Sequence, residues 1–408
     1  MLEQVRIADQ IAAAKDDRLR VLVAGAGVAG ITVAQVLRRE GLHPVLVERA
    51  APNADPGYML ALMPMVDPVF EELGVRDDYR ARSVRFHRYG VRAHTGQLLR
   101  VDNIESVLAR FGEYRGISRA ELIASLSRGG CSVAFNTTIT THRDSPAGAT
   151  VTLATTDEPV EATFDLVIVA EGMYSTTRAL LLGPEMPAGG VDTRWGGWVA
   201  WIPADAAPDL GEELWGAGFF IGIYPVRDKL GVFVGGPRTE TAAGPAAFGA
   251  QIRRTLRRRS RRIGAALDAI VHTDDVYFWP LNDCRAPVWA KGHAVLLGDA
   301  AAGFLPTAGI GAGMAMESAW VLGRMLRRAR PDMVPRLLQA YEAAQRPRVE
   351  EAQDNSRLLA KLVFQRSSVV AVLRDIAMRL MSVQAALKPI QRLLASGPKP
   401  DQIAARVG

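Results

Sequence analysis

Short apolar runs alternate with helical patterns at the start of the chain. Residues 20–24 form an apolar run that predicts a buried strand, and residues 31–39 have the apolar spacing of a helix. A second apolar run follows at residues 44–49, and another at residues 164–172 ends in a turn. This order predicts a strand–helix–strand unit whose strands lie parallel in one buried sheet.

Local patterns flank these strands. Residues 1–17 predict an amphipathic helix that precedes the fold. In the segment 118–127, Ser118 is a good N-cap and Glu121 completes a capping box, which predicts a helix. Residues 133–154 alternate apolar and Thr-rich positions around a turn, which predicts a hairpin.

The pattern changes in the middle of the chain. Short runs rich in aromatic residues, Val and Gly fill residues 195–236, and a similar run follows at 275–281. They predict an antiparallel sheet that forms a second domain. The earlier pattern returns at residues 293–303, so this sheet is inserted in the first fold. From residue 311 onward the pattern is helical, and it ends in a loose tail at 396–402.

Composition is consistent with a globular protein. Of the 408 residues, 49% are hydrophobic and 23% charged, which allows a large core and two domains. The net charge is +6, and much of the excess lies at residues 253–262, which predict a solvated helix face. Because no nucleic-acid motif or interleaved aromatic pattern accompanies these arginines, we do not predict nucleic-acid binding.

Cysteine content and hydropathy indicate a cytoplasmic protein. Cys131 and Cys284 lie far apart and form no CxxC pair, so we interpret them as reduced thiols. The N-terminal residues lack the apolar segment of a signal peptide. No run reaches the roughly 18 apolar residues of a membrane span, so we predict no integral membrane association.

A glycine-rich turn follows the first predicted strand. Gly25, Gly27 and Gly30 form G-x-G-x-x-G, in which bare backbone admits a pyrophosphate at the start of a helix. Glu48 ends the next strand, where a carboxylate accepts hydrogen bonds from ribose hydroxyls and disfavours a 2′-phosphate. The motif predicts FAD or NAD and does not choose between them. The residues expected at this ligand are Gly25, Gly27, Val28, Ala29, Gly30, Glu48 and Arg49.

A second glycine-rich stretch favours the flavin. Asp299 follows a buried strand, where it can reach a ligand hydroxyl, and Pro306 stiffens the next loop. The backbone N–H groups at the start of the following helix would favour negative charge on the carbonyl edge of a reduced isoalloxazine. Side chains are absent there at Gly309, Gly311 and Gly313.

Together these segments resemble the class A flavoprotein monooxygenases, the p-hydroxybenzoate hydroxylase-like aromatic hydroxylases. The resemblance covers about residues 20–330. It rests on the first glycine motif, on "DLVIVAEGMYSTTR" at 165–178 and on "GDAAAGFLPTAGIG" at 298–311, in the family's order. By this resemblance the further residues expected at FAD are Arg119, Glu171, Gly172, Asp299, Pro306, Gly309, Gly311 and Ala312, with Pro306 and Gly311 near the flavin ring.

The resemblance implies an FAD-dependent monooxygenase. NADPH or NADH, as a transient co-substrate, would reduce FAD, and O₂ would add to form a C4a-hydroperoxyflavin that oxygenates an aromatic or polycyclic, polyketide-like substrate of secondary metabolism. The cofactor supplies this chemistry, so no catalytic side chain or metal site is predicted. Two positions depart from the family pattern: Glu171 replaces the usual aspartate and Ala302 a common histidine.

The predicted fold class is α/β, with a Rossmann-like FAD-binding domain, an inserted mainly antiparallel β-sheet substrate domain and a helical C-terminus. The FAD-binding domain is predicted at 18–75, 100–180 and 285–330. The substrate domain is predicted at 76–99 and 181–284, and the C-terminal helices at 331–408. These helices are amphipathic and basic and would pack on the first domain or on a partner, in a monomer or a homodimer.

The inserted sheet would form the wall of the substrate pocket, because its aromatic residues offer surface for stacking a flat molecule. The predicted substrate-binding residues are Trp201, Phe219, Tyr224 and Phe233, and the same set extends to Phe220, Tyr277 and Trp279. His87 and His94 lie in a segment that could approach the pocket, but a structural role is the simpler interpretation. An acidic substrate group could instead bind arginines of that segment, namely Arg85, Arg88 and Arg92.

Two alternatives stay open at this point. One is another flavoenzyme: a flavin-dependent halogenase, which "WVAWIP" fits poorly because the tryptophan spacing differs, or a geranylgeranyl reductase-type oxidoreductase. The other is a flavin-binding protein or redox-neutral cyclase that no longer oxidises NAD(P)H. The presence of Glu171 in place of the usual aspartate is the reason for considering it.

Overall fold

The computed structural model describes residues 1–52, 57–272 and 277–407 of the chain. Within them, five strands form a sheet that is parallel except at one edge. We call it the Rossmann-like sheet, and its strands in spatial order are Ala290–Lys291, Ala294–Leu296, Leu166–Val169, Val21–Ala24 and Val45–Val47.

Helices cover the Rossmann-like sheet, which explains its continuous apolar runs. Every residue of Val21–Ala24 and Leu166–Val169 is buried, as expected for parallel strands packed on both faces. Helix Val28–Arg39 follows the first strand, and helix Gly311–Met325 packs against it. Each of these helices begins in a glycine-rich segment that follows a strand of this sheet, either directly or after a loop.

A second large sheet lies in the middle of the chain. In the described part of the chain it has seven strands, antiparallel except for one parallel pair. We call it the aromatic sheet, and its strands in spatial order are Tyr277–Asn282, Asp192–Pro203, Lys229–Pro237, Phe220–Val226, Leu210–Trp215, Arg88–Arg92 and Leu98–Asn103.

The two faces of the aromatic sheet differ. Helices Pro245–Thr255 and Arg261–His272 cover one face and bury a cluster of aliphatic and aromatic side chains against it. The opposite face carries Trp195, Val199 and Phe233, which form a separate apolar cluster. Alternation along each strand places neighbouring residues on opposite faces, so each strand contributes to both surfaces.

Small sheets and further helices complete the described residues. Leu2–Gln4 pairs with Cys131–Val133 in a two-stranded sheet. Two three-stranded sheets consist of Thr138–Ser145, Gly148–Ala154 and Val160–Phe164, and of Met59–Leu62, Arg115–Ser118 and Val84–Arg85. The short strand Cys284–Arg285 forms isolated bridges only. The remaining helices are Ile7–Ala13, Asp67–Glu72, Arg76–Arg82, Glu105–Leu108, Arg119–Leu126, Thr176–Leu182, Arg238–Thr241, Asp299–Ala302, Val334–Val363, Ser368–Leu380, Val383–Ala395 and Pro400–Ala404. The 3-10 turns are Pro64–Val66, Pro306–Ala308 and Pro331–Met333.

The predicted fold class is confirmed, and so is the helix after Ser118, whose Oγ accepts a hydrogen bond from Glu121 N at 3.2 Å. Three local predictions need correction. Residues 1–17 begin with a strand, residues 253–262 contain a break at 256–260, and the tail at 396–402 includes the start of a helix. The proposed domain boundaries stay a prediction.

The break in the arginine-rich segment has a physical cause. Arg262 is buried and donates to Asp205 Oδ1 and to the carbonyl of Ala207, both at 2.7 Å. Within the break, Arg257 N and Arg258 N donate to the carbonyl of Thr95 at 3.0 Å and 3.1 Å, so the backbone there is paired outside a helix. No helix of the described residues is both long and apolar enough to cross a bilayer.

Candidate active site

A cavity of about 460 Å³ lies between the Rossmann-like sheet and the aromatic sheet. Its lining comes from the first glycine turn, from the second glycine-rich stretch and from the open face of the aromatic sheet. The fold therefore brings segments that are far apart in sequence to one shared space.

The three glycines of the first turn have different neighbours. Gly25 has φ +105°, and a Cβ there would lie 2.4 Å from the carbonyl oxygen of Ala170. A Cβ on Gly30 would lie 1.8 Å from the carbonyl oxygen of Gly25, so this glycine lets the helix pack on the turn. Gly27 lines the cavity at the N-cap of helix Val28–Arg39, and a Cβ there would have nothing within 4 Å. That open space fits a pyrophosphate at the helix start.

Glu48 is fixed beside this turn by backbone groups. Its Oε2 accepts from Ala26 N and its Oε1 from Ala50 N, each at 2.8 Å. These bonds hold the carboxylate at the cavity wall next to Arg49, and each oxygen keeps a lone pair that could accept from a ribose hydroxyl.

Asp299 is another acidic residue of the cavity wall, and it lies in the second glycine-rich stretch. It follows the strand Ala294–Leu296 and lines the cavity. No hydrogen bond to its carboxylate comes from the described residues, and burial raises the pKa of Asp299 to about 6. A desolvated carboxyl without a partner is costly, and ligand hydroxyls that donate to it would remove that cost. This arrangement fits the polyol chain of FAD.

Past Asp299 the chain presents bare backbone to the cavity. Gly309 has φ +62°, a left-handed conformation that glycine adopts without strain, and Gly311 begins a 15-residue helix. Both line the cavity together with Pro306 and Ala312. The helix N-terminus therefore faces the cavity with its unpaired N–H groups, as a flavin carbonyl edge requires.

Glu171 uses its carboxylate locally. Its oxygens accept from Ser175 Oγ at 2.6 Å, from Thr177 N at 3.0 Å and from Thr177 Oγ1 at 2.7 Å, which caps helix Thr176–Leu182. Arg178 of that helix donates to the carbonyl of Ala300 at 3.0 Å and so joins the second motif to the third. The carboxylate of Glu171 is thus committed to structure, although the residue lines the cavity.

The structure brings most of the predicted site residues together. The predicted cofactor residues that line the cavity are Gly25, Gly27, Val28, Ala29, Glu48, Arg49, Arg119, Glu171, Gly172, Asp299, Pro306, Gly309, Gly311 and Ala312. Gly30 lies beneath the turn instead. Their contacts with FAD stay a prediction.

Two of the predicted substrate residues do not line the cavity. Tyr224 and Phe233 do, but Phe219, which directly precedes the strand Phe220–Val226, packs in the cluster on the helix-covered face of the aromatic sheet. Trp201 lies beyond the cavity, where the Nζ of Lys229 sits 3.8 Å from its ring centroid. The aromatic wall is completed by Phe220 and Trp279.

The histidines and arginines of the 85–94 segment lie outside the cavity lining and have other partners. His94 Nδ1 lies 2.6 Å from Asp375 Oδ2, and His87 Nε2 lies 3.3 Å from Asp209. The three arginines are paired with carboxylates in the same way, as Arg85–Glu105, Arg88–Asp209 and Arg92–Glu212.

Sequence reasoning missed several polar residues of the cavity, among them Tyr89, Tyr114 and Glu213. All three lie on or beside strands, where a single polar residue gives no periodic signal. The available signal was the pair of adjacent glutamates Glu212 and Glu213 inside the strand Leu210–Trp215, because acidic side chains are rarely buried.

Comparison with known proteins identifies the chain. Residues 18–356 match the family described as "FAD binding domain". The chain belongs to this family. This flavoprotein is 30% identical to 3-amino-4-hydroxybenzoate 2-monooxygenase PtnB3 of Streptomyces platensis, over 83% of this chain and 87% of that protein. It is 28% identical to the aurachin C monooxygenase/isomerase of Stigmatella aurantiaca, over 89% and 94% of the two chains.

A solved structure supports the same fold. The flavoprotein superposes on Klebsiella pneumoniae HpxO complexed with FAD and uric acid with a TM-score of 0.81, at 21% identity, over 93% of this chain and 97% of that one. The predictions of FAD as cofactor and of an NAD(P)H-consuming, FAD-dependent monooxygenase are confirmed by these relatives. They do not favour the halogenase, reductase or redox-neutral alternatives.

Proposed function

We propose that this monooxygenase oxygenates a flat aromatic or polycyclic molecule that lies between bound FAD and the aromatic sheet. The main observation in support is the shared cavity, which is lined on one side by both glycine-rich segments and on the other by aromatic side chains. The relative PtnB3 is named for an aromatic ring that carries amino, hydroxyl and carboxylate groups, which supports an aromatic substrate.

The proposed contacts with FAD follow from the donors and acceptors at each place. Gly27 and the start of helix Val28–Arg39 would take the pyrophosphate, Glu48 the ribose hydroxyls and Asp299 the ribityl hydroxyls. The backbone of Gly309 and Gly311 would face the ring, with Arg49 and Arg119 as cationic neighbours at the wall.

When bound, FAD supplies the redox chemistry by accepting hydride from NAD(P)H and activating O₂. The protein then has to hold the substrate ring and keep water away from the reacting atoms. Val199, Phe220, Phe233 and Trp279 serve both needs, because they are apolar and share one wall of the cavity.

The direct test is product analysis. FAD-loaded protein would be given NADH or NADPH, ¹⁸O₂ and a panel of amino- and hydroxy-substituted mono- and bicyclic aromatics. We expect one substrate to accelerate NAD(P)H oxidation and to gain a single labelled oxygen atom. Flavin that is reduced by NAD(P)H while no panel member becomes oxygenated would contradict the proposed substrate class.

A further inference from the structure

A buried carboxyl group faces the cavity from the aromatic sheet. Glu213 lies on the strand Leu210–Trp215, is 7% exposed and lines the cavity. Its neighbour Glu212 points to the other face of the sheet and forms an ion pair with Arg92 at 2.9 Å. Adjacent glutamates on one strand thus have opposite surroundings, one with a cation and one beside the substrate space.

Hydrogen-bond donors of the protein converge on Glu213. Its Oε1 accepts from the Tyr224 hydroxyl, its Oε2 accepts from Trp215 Nε1 at 2.7 Å, and Tyr89 also hydrogen-bonds to it. An indole N–H can only donate, so the carboxyl oxygen that faces it must accept. Burial raises the pKa of both tyrosines, which keeps their hydroxyl hydrogens in place. Burial also raises the pKa of Glu213, whereas the hydrogen bonds donated by Tyr224, Tyr89 and Trp215 favour its carboxylate form.

The Tyr224 hydroxyl hydrogen is therefore used toward Glu213, and Tyr89 hydrogen-bonds with Glu213 and with Tyr224. At least one oxygen lone pair on each tyrosine is left for a ligand. Both tyrosines line the cavity. Among the described lining residues the basic side chains are Arg49 and Arg119, and neither belongs to the aromatic sheet. The polar part of this wall thus accepts hydrogen bonds and carries no countercharge for an anion.

We propose that Glu213, Tyr89 and Tyr224 select a substrate that donates a hydrogen bond from a hydroxyl or amino group and reject an aromatic carboxylate at the same place. A donor completes the acceptor wall, whereas a carboxylate would bring a second negative group against Glu213 in a desolvated space. This inference rests on the proposed function, since it assumes that the substrate lies against the aromatic sheet.

The test uses four naphthalenes that carry a hydroxyl, amino, methoxy or carboxylate group at the same β position. Isothermal calorimetry on the FAD-loaded protein would give the dissociation constant of each. Because an unmatched buried acceptor or a repelled charge is penalised, we expect naphthol and naphthylamine to bind about 10- to 100-fold tighter than methoxynaphthalene and naphthoate.

Variants assign this preference to the wall. Y224F removes the acceptor oxygen together with the hydrogen bond that Tyr224 donates to Glu213. It should weaken naphthol binding about tenfold and leave methoxynaphthalene, which has no hydrogen to donate, unchanged. E213Q, which removes the negative charge, should narrow the gap between naphthol and naphthoate. Y79F is the matched control, since the buried Tyr79 hydroxyl has no hydrogen-bond partner among the described residues and lies outside the cavity lining. If E213Q does not retain FAD, the naphthol affinity of Y224F alone decides whether the inference holds.

Equal affinity for naphthol and methoxynaphthalene would overturn the inference, as would tightest binding of naphthoate or the absence of binding by both donors at about 1 mM. The proposed function fails differently. If the donor preference holds but no aromatic compound is ever oxygenated, the selective wall stands and the assigned reaction does not.

Discussion

At the scale of single residues, two glycines of the first turn have different roles: Gly27 leaves space for a ligand, and Gly30 allows close packing of the helix on the turn. Gly27→Ala adds a methyl group that has no atom of the described residues within 4 Å but enters the space proposed for the pyrophosphate. We expect unchanged unfolding of the apoprotein and at least about a tenfold loss of FAD affinity, measured by fluorescence titration. Gly264→Ala, on a helix surface with open space at Cβ, is the control and should bind FAD normally.

Gly30→Ala should behave in the opposite way. Its Cβ would overlap the carbonyl oxygen of Gly25, so we expect a loss of about 3 kcal/mol in the free energy of unfolding even without FAD. Urea denaturation of the apoprotein measures this. Equal stability of the two apoprotein variants would contradict the packing role of Gly30.

Asp299 gives a pH-dependent prediction. Its folded pKa of about 6 exceeds the value of about 3.9 in an unfolded chain. Between these values only the unfolded state releases the proton, so the apoprotein loses stability as pH rises from about 4 to about 6. Relative to D299N, we expect the wild type to lose on the order of 2 kcal/mol over this range. Urea denaturation at several pH values tests it, with the exposed D157N as control.

Sequence predicted some of these residues and not others for a physical reason. Gly27, Glu48 and Asp299 each lie at a fixed number of residues from the end of a strand, so their positions form a motif that can be recognised in the sequence. Glu213 and Tyr89 become neighbours only because the strands Leu210–Trp215 and Arg88–Arg92 pair in parallel, and that pairing has no local signature.

At the scale of elements, one C-terminal helix is held mainly by polar contacts. In helix Ser368–Leu380, Arg374 Nη1 donates to the carbonyl of Leu362 at 3.1 Å and of Gly216 at 3.3 Å. Asp375 accepts from His94 N at 3.0 Å. Several other residues of this helix expose apolar side chains, so burial stabilises it less than usual.

We therefore expect Arg374→Ala to release this helix before the rest of the molecule unfolds. The lost hydrogen bonds should cost about 2 kcal/mol of local stability. Hydrogen exchange over residues 368–380 measures this loss, and Arg379→Ala, an exposed position on the same helix, should leave exchange unchanged. Unaltered protection in R374A would show that other contacts hold the helix.

Element predictions succeeded where burial sets the pattern and failed where distant partners do. The strands Val21–Ala24 and Leu166–Val169 are buried on both faces, and their apolar runs reveal them. The strand Leu2–Gln4 exists because it pairs with Cys131–Val133, a partner that the local sequence of residues 1–17 does not contain.

At the scale of the whole molecule, the cavity joins the two large sheets, so a bound cofactor should stabilise both. Free FAD at about 100 times its dissociation constant should add about 2.7 kcal/mol to the free energy of unfolding, if only the folded state binds. Thermal unfolding followed by tryptophan fluorescence, with and without FAD, measures this. Gly27→Ala at the same FAD concentration should gain less, and an equal gain would place the cofactor elsewhere.

The cavity also sets how freely this catalyst can be remodelled. Its cofactor side and its aromatic wall are built on separate sheets, so exchanges at Val199, Phe220 or Phe233 change the wall without moving the first glycine turn. Libraries randomised at those positions should therefore yield variants with new regioselectivity that stay yellow and keep their reduction rate.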